Sequence, residues 1–94
     1  MQVRSESGSV LARGGHGLEW GSTTVAELDR SQFPMLAGVC PYEDTVFNGW
    51  QRPMLLAELD RLPPERQGPW VDALRELCRT AEAGLHRYVW FIGD

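Results

Sequence analysis

The chain runs toward its end through Tyr88-Val89-Trp90-Phe91-Ile92, five consecutive aromatic or β-branched residues with no polar interruption. Such residues favour strands. A strand with one face in water alternates apolar and polar positions, so a strand apolar at every position needs cover on both faces. Residues 87–92 therefore read as a strand inside a sheet, not at its edge. Upstream, Trp70, Ala73, Leu74, Leu77, Cys78 and Ala81 recur at i, i+3, i+4, i+7, i+8 and i+11. That spacing lays an apolar stripe along a helix from about 69 to 83, with Pro69 near its start and Gly84 at the left-handed cap position. A second helix, from about 50 to 62, carries Leu55, Leu59 and Leu62, starts from an Asn48/Gln51 capping pair and stops at Pro63-Pro64.

The first third reads as strands and turns. Gln2 to Glu6 and Ser9 to Arg13 flank Ser7-Gly8, which predicts a hairpin. Leu18-Glu19-Trp20 alternates and predicts a short third strand. Asp29-Arg30-Ser31 is a turn signal, and Phe33-Pro34-Met35-Leu36 is expected against the core. Gly38 to Gly49 reads as a loop. The expected fold class is α+β: a small antiparallel sheet with two helices packed on one face. Ala26-Glu27-Leu28-Asp29-Arg30 returns as Ala57-Glu58-Leu59-Asp60-Arg61. The match ends after five residues, too short for a structural repeat.

A chain of 94 residues makes one domain. Its net charge of -4 argues against nucleic acid, whose phosphates require a positive surface. All nine basic residues are Arg, and they are interspersed with acids as on a solvated surface. No stretch approaches the ~20 apolar residues of a membrane span, and no apolar run of signal-peptide length follows the N-terminus. The cytoplasm is the expected compartment. Cys40 and Cys78, 38 residues apart, form no metal-type pair, and Cys78 lies on the helix stripe as a small hydrophobe.

The search for chemistry finds no catalytic constellation. Cys40, Cys78, His16 and His86 have no spacing that brings a base to a thiol. Glu43 and Asp44 are adjacent carboxylates, but the alternating ligands and central Gly of a calcium loop are missing. Arg13-Gly14-Gly15-His16-Gly17 lacks the pattern of a phosphate loop, and the chain contains no Lys. No cofactor and no metal site are expected.

Phe33-Pro34-Met35-Leu36, the segment Pro41-Tyr42-Glu43-Asp44-Thr45-Val46-Phe47-Asn48, the helix Leu55-Leu56-Ala57-Glu58-Leu59 and the ending Tyr88-Val89-Trp90-Phe91-Ile92-Gly93-Asp94 resemble a group of small uncharacterised bacterial proteins, mostly actinobacterial. The resemblance spans roughly residues 18 to 94. It implies one compact domain with a shared loop and brings no catalytic residues with it.

Three functional readings follow. The first is a small acidic interaction protein, immunity- or inhibitor-like, that binds a protein partner through the 41–50 loop. Tyr42, Phe47 and Trp50 are its candidate aromatic anchors, and Glu43 and Asp44 supply charge to a basic partner. For Phe47 a core position is the stronger reading. The second is a small enzyme or ligand-binding domain with a pocket near Cys40 and Asp44, joined by His16. The third is a subunit of a homodimer or larger homo-oligomer, with the apolar end strand pairing across the interface.

Overall fold

The computed structural model describes residues 1–14, 27–40 and 42–92. Among these, four strands make one antiparallel sheet: β1 (Gln2–Ser5), β2 (Val10–Arg13), β3 (Thr45–Phe47) and β4 (Arg87–Phe91), in the order β2-β1-β4-β3. Two helices, α1 (Arg52–Arg61) and α2 (Pro69–Glu82), cover one face of it. The α+β class, the N-terminal hairpin, both helices and the interior place of the last strand agree with the sequence.

The position of β4 follows from its composition. Its residues Val89 and Phe91 are buried on the helix side. Val3 of β1 stands opposite Val89, and Phe47 of β3 does the same from the other side. Phe47 and Phe91 meet edge to face, their centroids 5.7 Å apart, as ring quadrupoles prefer. Leu74, Leu77, Cys78 and Ala81 of α2 and Leu55 and Leu59 of α1 close the core. Because β4 pairs with β1 and β3, both its edges are used. Among the described residues, β3 pairs with β4 over Val89 to Phe91 and β1 pairs with it over Arg87 to Trp90.

The other face of the sheet is built from the alternate residues. Gln2 and Val46 both lie opposite Trp90, and Arg4 lies opposite Tyr88. The Arg4 guanidinium sits 4.4 Å from the centre of the Trp90 ring, a cation–π contact within the chain.

Two expectations differ from the structure. The third strand is not where the loop reading left room for it: residues 45–47, inside the expected loop, form β3. Three residues are too few to show a period, and pairing with β4 is what makes them a strand. The strand expected at Leu18–Trp20 lies outside the described residues, as does His16. Finally, the left-handed residue after α2 is His86 (φ 54°), and Gly84 is not in that region.

Candidate functional site

Trp50 is 90% exposed, the most exposed large apolar side chain among the described residues. The backbone around it is nevertheless well fixed. Asn48 Oδ1 accepts from the Trp50 and Gln51 amides at 3.0 and 3.1 Å, and Gln51 Oε1 accepts from the Asn48 amide at 2.8 Å. This reciprocal pair has the logic of a capping box and sits one turn before α1. The turn holds Trp50 by its backbone while its indole stands in water.

The segment between α2 and β4 faces this turn. Leu85 is 88% exposed, next to the left-handed His86. A non-glycine residue at positive φ carries a backbone cost that its surroundings must hold in place. Together the turn at 48–52 and the segment 84–88 wall an open cleft of about 490 Å³. Two arginines brace its floor. Arg87 Nη1 donates to the Thr80 carbonyl at 2.8 Å, which satisfies an orphan acceptor in the last turn of α2. Arg52 Nη1 in turn donates to the Arg87 carbonyl at 3.0 Å. Among the described residues, neither guanidinium is within ion-pair distance of a carboxylate. At the rim, His86 Nδ1 lies 3.9 Å from Glu6.

The 41–50 segment is therefore not one surface. β3 separates its two ends. Tyr42 (78% exposed), Glu43 and Asp44 are exposed beyond one end, and Trp50 stands beyond the other. Phe47, a candidate anchor in the sequence, is 4% exposed and belongs to the core, because its strand position points it at Phe91. Pro41 lies outside the described residues.

The cysteines are both free thiols. Cys40 is half-buried, and its amide donates to Thr45 Oγ1 at 3.1 Å, so the residue anchors the start of β3. His86 precedes the opposite end of β4 from the Thr45–Phe91 pair. Five residue steps at ~3.3 Å each put His86 on the order of 16 Å along the strand from the level of Phe91, where Thr45 pairs. Cys78 is buried on α2, and burial pushes its thiol up to about 11, with Arg52 and Arg75 pulling the other way. Such a thiol is inert near neutral pH. Among the described residues no group of three or more His, Cys, Asp or Glu side chains is placed to hold a metal ion. Among the described residues no helix is long and apolar enough to cross a membrane.

The sequence flagged Trp50 but passed over Leu85, Arg52 and Arg87. One signal was present: Leu85 is an apolar residue between Gly84 and His86, past the end of the helix stripe and before the end strand. An apolar side chain in a turn with no helical or strand partner is a candidate surface anchor. No protein-family model matches the chain, and no curated protein or solved structure is significantly similar to it.

Proposed function

We propose that the chain is a small acidic interaction protein, immunity- or inhibitor-like, and that it binds a protein partner through the Trp50 end of the 41–50 segment. One observation carries this reading. Two large apolar side chains, Trp50 and Leu85, are each about nine-tenths exposed and line the same cleft. Single exposed apolar residues are ordinary on proteins. Two that converge on one concavity, on backbone fixed by side-chain hydrogen bonds, have the form of an interface hot spot. Preorganised anchors also lose little entropy on binding. Aromatic anchors of this kind favour a macromolecular partner, since a small ligand is mostly enclosed by its site. The two free thiols fit the reducing cytoplasm, which we propose as the compartment.

The test is capture from a lysate of the source organism, read by mass spectrometry, with two variant baits. One carries Trp50→Ala and Leu85→Ala. The other carries Tyr42→Ala, Glu43→Ala and Asp44→Ala at the far end of β3. A stoichiometric partner held by wild type and the triple variant, but lost with the double variant, is the expected result. A partner indifferent to the double variant would remove the cleft from the interface.

A further inference from the structure

The cleft also has a charge, and its sign is opposite to that of the molecule. The chain carries 13 acids against nine arginines. In the cleft, however, Arg52, Arg87 and His86 contribute to the walls and no carboxylate does. Each guanidinium is held by one backbone carbonyl, and each keeps further N–H donors without an ion-pair partner among the described residues. A guanidinium fixed in this way offers a preorganised fork to a carboxylate. Glu6 approaches only His86, at the rim.

From this we infer that the partner enters the cleft as a short linear segment that pairs an Asp or Glu carboxylate with a neighbouring apolar side chain. The inference rests on the interaction reading above. The carboxylate sits against Arg52 and Arg87. The apolar side chain sits between Trp50 and Leu85. The surrounding acidity narrows the class further. At physiological salt, charges act over about 8 Å. A nucleic-acid strand is charged along its whole length and would meet Glu6 at the rim and the acidic excess of the chain. A segment with one or two carboxylates meets only the local cations. The acidic remainder of the surface favours a partner whose flanking surface is neutral or basic.

The test is selection of random dodecapeptides displayed on phage against the full chain, followed by fluorescence anisotropy on the synthetic winners. Enriched peptides should place Asp or Glu beside an aromatic or aliphatic residue. Replacing that Asp or Glu by Asn or Gln should weaken binding at least tenfold. Raising NaCl from 50 to 500 mM should weaken it several-fold. Trp50→Ala and Leu85→Ala should abolish it in a protein whose circular dichroism is unchanged. Arg52→Gln is the matching charge variant, and Arg52→Lys, which keeps the charge, controls for any loss of folding. Winners without acidic enrichment that still depend on Trp50 would overturn this inference and leave the interaction reading standing. No enrichment, or winners indifferent to Trp50 and Leu85, would overturn it outright.

Discussion

Glu58 shows how one side chain ties a loop to a helix. It is 1% exposed, and its two carboxylate oxygens accept from the Met35 and Leu36 amides at 2.9 and 3.0 Å. Those amides open the 3-10 turn Leu36–Gly38 and have no helical acceptor of their own. Glu58→Gln keeps the shape but turns one acceptor oxygen into a donor, which then faces a backbone N–H. Leaving a buried donor unsatisfied costs about 1–3 kcal/mol. The expected outcome is a drop of several degrees in Tm by circular dichroism. An unchanged Tm would show that the 33–38 segment is held by Phe33 and Leu36 alone. Cys78 makes a pH-dependent prediction of the opposite kind. Its folded-state thiol sits near 11, against an ordinary 9.0. Between those values the unfolded chain releases the proton while the folded chain keeps it, so stability falls as pH rises. Urea midpoints at pH 8 and pH 10.5 should separate in wild type by more than they do in Cys78→Ala. Equal separations would mean that the thiol reaches solvent in the folded state.

At the scale of elements, the junction between α2 and β4 is the strained one. A Cβ on Gly84 would lie 2.4 Å from Arg87 Nε and 2.6 Å from its Cζ. Gly84→Ala must therefore push the guanidinium away from the Thr80 carbonyl. The neighbour that gives way is the end of a flexible side chain, so the cost is that of one hydrogen bond, about 1 kcal/mol. In an Arg87→Ala background the same substitution should be neutral, and a double-mutant cycle on chemical denaturation reads the difference. Additive losses would show that the backbone at Gly84, not Arg87, carries the effect. This junction also marks the boundary of what the sequence discloses. α2 was legible because its stripe at Trp70, Leu74, Leu77, Cys78 and Ala81 is a periodic pattern within one element. β3 was not, because Thr45-Val46-Phe47 becomes a strand only by lying against β4. The positive φ falls at His86, while the missing Cβ of Gly84 leaves room for the Arg87 guanidinium. Trp50 was singled out in the sequence as a candidate anchor, and the structure shows its side chain exposed. Its company of Leu85 and two arginines was not singled out, since only the closed sheet brings residues 48–52 and 84–88 together.

In the whole molecule, the two ends of the chain make the middle of the sheet. β1 and β4 are adjacent partners, though more than 80 residues separate Gln2 from Trp90, which it faces. β1 also carries β2 on its other edge. Closing so long a loop before any contact rewards it makes folding slow and all-or-none. Deleting residues 1–9 should therefore do more than remove a hairpin. β4 would lose the pairing of Gln2, Val3, Arg4 and Ser5, β2 would lose its only partner among the described strands, and Val89 would lose the fully buried Val3 opposite it. Two strands would remain, and a two-stranded pair is marginal on its own in water, so the stability left would come from the helices packed on it. The expected result is loss of the cooperative thermal transition, with helical circular dichroism partly kept by the α1–α2 pair and an amide spectrum of narrow dispersion. A truncated chain that still melts cooperatively would place the stabilising core in the helices and β3–β4 alone. The cleft, whose two walls flank β3 and β4, should then survive the deletion with its ligand preference intact.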